Sequence, residues 1–173
     1  MTKGLIHIYC GDGKGKTTAS IGLSLRAAGA GLRVLYVQFF KDGSSSEFRL
    51  LEQVGVTFLR PEKRFGFYRT LTPEQREEAR EFYTAHFRTA AAMARQDYDL
   101  LVLDEAMSAC RTGVVPEQEV LDFLRSKPER LEVVLTGRDP SKALFDAADY
   151  VTEMCKRKHP FDRGIPARRG IEF

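Results

Sequence analysis

Short apolar runs alternate with longer amphipathic stretches along this chain, and that alternation predicts its elements. Residues 5–9, 33–40, 54–59, 98–105, 132–136 and 147–153 are rich in Val, Ile, Leu, Tyr and Phe, and they read as strands. Residues 18–30 read as a helix stopped by Gly29 and Gly31, and residues 47–53 as a short helix. Residues 41–46 (Lys-Asp-Gly-Ser-Ser-Ser) read as a loop by composition. Residues 60–71 are irregular, basic and aromatic. A strongly signalled helix opens at Thr72, with Pro73 at its first position and Gln75 completing a capping box. Phe82, His86, Ala90 and Met93 recur at helical spacing and are expected to form its core face, which makes His86 a packed residue before a catalyst. Shorter helices are expected at 106–111 and 116–125, the latter with Val120, Leu121 and Leu124 inward. Another follows Asp139 and Pro140, which are expected to cap it. Strands alternating with helices imply an α/β fold, a mostly parallel sheet with helices on both faces.

One break in the pattern carries chemistry. Between the first strand and the first helix lies Cys10-Gly-Asp-Gly-Lys-Gly-Lys-Thr-Thr18, the strand–turn–helix order of a phosphate-binding loop. Glycines let successive backbone N–H groups converge on phosphate oxygens, and the following helix offers its positive end. Gly11, Asp12, Gly13, Lys14, Gly15, Lys16, Thr17 and Thr18 are therefore the candidate nucleotide-binding residues. Lys16 adds a mobile charge, and the Thr17 hydroxyl can ligate Mg²⁺. The usual spacing would place a glycine at position 10, where this chain has Cys10. Counting from Gly11 the loop is one residue shorter, so it should present phosphates differently.

The apolar run at 98–105 closes on Asp104-Glu105. Carboxylates there suit a Mg²⁺ at the carboxyl end of a parallel strand, and they equally suit the start of the next helix. With the upstream loop present, Thr17, Asp104 and Glu105 are the candidate metal residues. Because ligands in such sheets bind at the carboxyl ends of the strands, residues 11–18, 39–41, 104–105 and 136–138 should meet on one rim.

Composition narrows the class. Across 173 residues, 43% hydrophobic and 29% charged content suit one globular domain spanning 1–173. No run approaches the length of a membrane span. Met1-Thr2-Lys3-Gly4 runs directly into the first strand, leaving no room for a signal peptide, and the odd, widely spaced Cys10, Cys110 and Cys155 suit a reducing, cytoplasmic setting. A net charge of +3 is too mild to imply nucleic acid by itself. Residues 154–173 carry Lys156, Arg157, Lys158, His159, Arg163, Arg168 and Arg169, either as a solvated basic end or, given Ile171 and Phe173, as an ordered segment. From the residues alone the reading stops at a Mg²⁺-dependent nucleotide-binding enzyme, a small-molecule kinase or ATPase among the alternatives, with a nucleotide-gated RNA-binding module behind them.

Several motifs together carry a resemblance. Gly11-Asp-Gly-Lys-Gly-Lys-Thr-Thr18, Val102-Leu-Asp-Glu105, Val134-Leu-Thr-Gly-Arg138, Ala148-Asp-Tyr-Val-Thr-Glu-Met154, Lys158-His-Pro-Phe and Arg169-Gly-Ile-Glu-Phe173 occur in this order. Over nearly its whole length the chain resembles the P-loop ATP:corrinoid adenosyltransferases. The resemblance implies alkyl transfer: Co(I) of a reduced corrinoid attacks C5′ of ATP, and the whole triphosphate leaves. It implies ATP and Mg²⁺ as co-substrate and cofactor, a corrinoid substrate, a homodimer, and a flavoprotein as reductant. It assigns Lys16 to the leaving triphosphate, and Arg138 and His159 to ligand binding. It has Phe65 and Phe67 press on the corrin face and displace the lower axial ligand of Co(II). Better-known members carry Phe-x-Trp in this loop; Phe67 matches the Phe, Arg69 falls at the Trp, and the chain has no Trp.

Overall fold

The structure, a computed structural model, describes residues 3–40, 47–63, 65–66 and 68–172. The strands are β1 (Ile6–Cys10), β2 (Val34–Gln38), β3 (Thr57–Leu59), β4 (Leu100–Asp104), β5 (Glu132–Thr136) and β6 (Tyr150–Glu153). They form one sheet in the order β3-β2-β4-β5-β1-β6, and every neighbouring pair is parallel. The helices are α1 (Lys16–Gly29), α2 (Phe48–Gln53), α3 (Pro73–Asp97), α4 (Ala106–Thr112), α5 (Glu117–Ser126) and α6 (Lys142–Ala147).

Strands β2, β4 and β5 are buried almost throughout, as strands covered on both faces must be. Alternation sorts their side chains. Val34 and Tyr36 of β2, Leu100 and Val102 of β4 and Val134 of β5 pack with Ala27 of α1 and Phe48 and Leu51 of α2. Leu35, Val37, Leu101, Leu103, Val133 and Leu135 face the other way, toward α3, α4 and α5. The expected architecture is therefore present, with helices on both faces of a parallel sheet.

Local boundaries moved for identifiable reasons. Helix α1 begins at Lys16, two residues before the expected Thr18, because Gly15 takes the N-cap position at φ 123°. Strand β2 stops at Gln38 where 40 was expected; Phe40 adopts φ 60° and turns the chain out of the ladder. Strand β3 starts at Thr57, because Gly55 makes a turn at φ 87°. Thr72 and Gln75 form the expected capping box of α3, with Gln75 N–H donating to the Thr72 hydroxyl at 3.3 Å and Thr72 N–H donating to Gln75 Oε1 at 3.0 Å. The buried stripe of α3 is Ala79, Tyr83, Phe87, Ala90 and Ala94, so the expected stripe was rotated by about one position. His86 is buried as expected, while Phe82 and Met93 lie half-buried at the margin. Ser141, not Asp139 and Pro140, caps α6: its hydroxyl accepts from Leu144 N–H at 3.1 Å. Among the described residues no helix is long and apolar enough to cross a membrane.

Candidate active site

The carboxyl ends of β1, β2, β4 and β5 define the site. Gln38, Asp104 and Thr136 are the last residues of β2, β4 and β5, on strands that neighbour one another. Each lies two residues beyond a side chain in the α1-facing core, namely Tyr36, Val102 and Val134. Period-two alternation thus places a polar row on the edge of an apolar layer, beside the start of α1.

Asp104 is the centre of that row and is fully buried. Its Oδ1 accepts from the Thr136 hydroxyl at 2.6 Å and the Thr17 hydroxyl at 3.0 Å, and its Oδ2 from the Gln38 amide at 3.3 Å. The Thr136 hydroxyl in turn accepts from Glu105 N–H at 2.9 Å. Two of the three candidate metal residues, Thr17 and Asp104, are therefore in direct contact. Glu105 sits at φ 64°, and its carboxylate accepts from the Ser108 hydroxyl at 2.7 Å. A non-glycine residue in the left-handed region is held there by its surroundings, and such strain gathers at functional sites. Asp104 thus ends β4, and Glu105 takes the N-cap position of α4.

The phosphate loop is folded back on itself. Lys16 Nζ donates to Gly11 O at 2.7 Å and to Gly13 O at 2.8 Å. Burial lowers its pKa below the usual lysine value, and nearby Arg138 lowers it further. Arg138 is exposed and within electrostatic reach of the loop. Thr18 is exposed in the first turn of α1.

The segment after β6 grips the outer side of this loop. Met154 N–H donates to Cys10 O at 2.9 Å, and Gly13 N–H donates to Met154 O at 2.6 Å. The Asp12 carboxylate accepts from Lys156 N–H at 2.9 Å, and that bond holds its pKa below the usual range. A Cβ at Gly11 or at Gly13 would sit 2.5 Å from Met154 O. Glycine at these positions thus answers to a second chain segment pressed against the loop. Gly13→Ala is expected to lower the melting temperature by roughly 5 °C, from overpacking against backbone that cannot yield. Gly22→Ala, with nothing within 4 Å of the added carbon, is the control and should be neutral or stabilising.

Other candidates lie differently. The Phe65 ring packs on Phe82 and Tyr83 of α3 at centroid distances of 5.5 and 5.7 Å, with the Lys63 ammonium 5.2 Å above it. Phe67 falls outside the described residues. His159 caps a single turn of 3₁₀ helix, its Nδ1 accepting from Phe161 N–H at 3.2 Å. Sequence reasoning did not single out Gln38 or Met154. Gln38 carries the same signal that marked Asp104, a polar residue closing an apolar strand. Met154 closes one of the motifs that carry the resemblance, with no role attached to it there.

A shortened phosphate loop beside a buried strand-end aspartate describes nucleotide enzymes broadly. The comparison of families is narrower: the model described as ATP:corrinoid adenosyltransferase BtuR/CobO/CobP matches residues 2–173. The chain belongs to the ATP:corrinoid adenosyltransferase family. Among curated proteins, the corrinoid adenosyltransferase of Pseudomonas aeruginosa is 35% identical over 177 residues, covering 99% of this chain and 84% of the relative. Corrinoid adenosyltransferase CobA of Salmonella typhimurium is 35% identical over 173 residues, covering 99% and 86%. The Sinorhizobium corrinoid adenosyltransferase is 37% identical over 182 residues, covering 99% and 81%. In this adenosyltransferase family member the matched region takes in the phosphate loop, the Asp104 row and the segment that grips the loop.

Proposed function

We propose that this chain transfers the 5′-deoxyadenosyl group of ATP to the Co(I) centre of a corrinoid, releasing triphosphate. The observation that carries this reading is the family match across residues 2–173, the truncated loop included. In the reaction an electron pair on Co(I) forms the bond to C5′, and the C5′–O bond breaks toward the triphosphate. No proton has to be removed, so the protein's work is to position the reactants and to receive charge on the leaving group.

The chain's own groups suit that work. The backbone N–H groups of residues 14–17 and the start of α1 can receive the triphosphate, whereas Gly13 N–H is already given to Met154 O. Lys16 can exchange Gly11 O and Gly13 O for phosphate oxygens, because its present acceptors are neutral carbonyls. Lys14 and the exposed Arg138 add positive charge at the rim.

The residues fit Mg²⁺. Thr17 and Asp104 touch, and beside them the Gln38 side-chain oxygen Oε1 is buried with no hydrogen-bond partner among the described residues. A buried orphan acceptor next to a buried carboxylate fits the water shell that Mg²⁺ usually keeps. When bound, Mg²⁺ supplies charge neutralisation for the leaving triphosphate. Thr17 and Asp104 would hold it, Gln38 would accept from its water, and Glu105 adds negative charge nearby.

Residues 60–71, with Phe65 anchored on α3, form the proposed corrinoid side, and Phe65 and Phe67 are the proposed displacers of the lower axial ligand. A homodimer, a flavoprotein reductant and a cytoplasmic setting complete the proposal.

Product analysis tests it. Incubated with Mg²⁺-ATP and chemically reduced corrinoids of different sizes, the protein should bleach the Co(I) spectrum. It should release one triphosphate per cobalt–carbon bond formed. Formation of ADP, with no adenosylated corrinoid, would instead establish a kinase or ATPase.

A further inference from the structure

Both lysines of the phosphate loop are engaged by the protein itself, in unlike ways. Lys16 is held by two neutral backbone carbonyls within the loop. Lys14 is held from far along the chain: its ammonium donates to Ile171 O at 2.7 Å and to a Glu172 carboxylate oxygen at 3.1 Å. Glu172 is itself fixed. Its Oε2 accepts from Arg168 N–H at 2.7 Å, and the Arg168 guanidinium reaches both carboxylate oxygens, at 3.2 and 3.0 Å.

This contact ends a longer strap. The same segment bonds Cys10 and Gly13 through Met154 and Asp12 through Lys156, so loop residues 10–14 are tied at several points to residues 154–172. All of these ties except the last use backbone groups or a local turn and leave the loop's charge unchanged. The last places an anion on a lysine of a phosphate site.

We infer that Glu172 is a built-in surrogate for a nucleotide phosphate: it holds Lys14 and competes with the triphosphate moiety for that ammonium. This rests on the reading of residues 11–18 as the triphosphate site. Two features make the exchange feasible. The pair is partly exposed, with side-chain exposures of 44% for Lys14 and 22% for Glu172, so water can replace either partner. Glu172 does not lose its counter-charge when Lys14 leaves, because Arg168 remains on it. Its carboxyl is held down to about 2, chiefly by Arg168 and also by Lys14, so it stays charged at any working pH and the latch does not titrate open. Competition of this kind disfavours a bound triphosphate, whether the substrate's or the product's. It therefore trades tightness of binding for release of a leaving group that is otherwise held by many charges.

The test is calorimetric titration with inorganic tripolyphosphate at low salt, for the unaltered chain, Glu172→Gln, Lys14→Met and the double variant. Glu172→Gln should bind about three- to fivefold more tightly, the range an exposed ion pair allows. Lys14→Met should bind about tenfold more weakly, having lost a charge-assisted contact. The double variant should match Lys14→Met, since the latch has nothing left to hold. Equal or weaker binding by Glu172→Gln overturns the latch while leaving the phosphate site standing. An equal gain from Glu172→Gln in both backgrounds also overturns it, because Glu172 would then act as a general negative field. Absence of tripolyphosphate binding in all four proteins overturns the phosphate-site reading, and the latch with it.

Discussion

Replacing Lys16 with alanine is expected to slow adenosyl transfer by about a hundred- to a thousandfold while leaving the fold intact. In the proposed reaction the leaving triphosphate gathers charge where the loop meets α1, and Lys16 is the side chain rooted at that junction. Its ammonium donates to Gly11 O and Gly13 O. Its pKa is lowered mainly by burial, so the folded protein disfavours the charged form that catalysis needs. The sign matters for stability. A lysine with a depressed folded pKa burdens the folded state at every pH below that value. The burden fades as pH rises toward the ordinary lysine value. Removing the charge at neutral pH lifts that burden but takes the donor from Gly11 O and Gly13 O, so the melting temperature should change little. Cobalt–carbon bond formation and thermal melting, measured together, check this. A loss under tenfold would mean that Lys16 does not bear on the leaving group.

Asp104→Asn should have a comparable effect on transfer by another route. Side-chain donors from Thr17, Thr136 and Gln38 converge on this fully buried carboxylate. Asparagine keeps the shape but turns one acceptor into a donor, so the Gln38 amide must flip to present its oxygen or face another donor. The mismatch should destabilise the fold by about 1–3 kcal/mol, which in a chain of this size lowers the melting temperature by roughly 3–10 °C. The lost charge should also weaken Mg²⁺-dependent nucleotide binding by at least about tenfold, and leave Mg²⁺-free binding unchanged or tighter. Titration with ATP, with and without Mg²⁺, separates the two effects. Parallel losses in both conditions would count against Asp104 as a metal residue and leave it a structural one.

The two experiments probe elements that differ in how openly the chain displays them. Lys16 lies in a contiguous motif whose glycines, lysines and threonines act through backbone geometry over a few residues, so its identity was legible directly. Asp104 needed two steps, an apolar run recognised as a strand and the rule that parallel strands present ligands at their carboxyl ends. The same two steps would have reached Gln38. Phe39 and Phe40 extend the apolar run beyond it and hide where the ladder stops. Phe40 turns the chain with a left-handed backbone that no residue-type rule assigns to phenylalanine. The α3 stripe erred in a related way. Phe82 and Met93 are as apolar as the residues one position round the helix, and only the sheet beneath determines which row is covered.

Short-range physics therefore sufficed for the helices, the strands, the parallel α/β class and the phosphate loop, since each rests on periodicity or on conformational freedom within a few residues. Strand order, the meeting of Thr17, Gln38, Asp104 and Thr136, and the strap from Met154 to Glu172 across the loop do not arise that way. These pair residues more than a hundred positions apart in the strap, and about thirty to ninety apart in the polar row. Contacts of that range depend on which strands become neighbours, and on one backbone passing close enough to another to exclude a Cβ. Neither quantity is written in any local stretch of the chain.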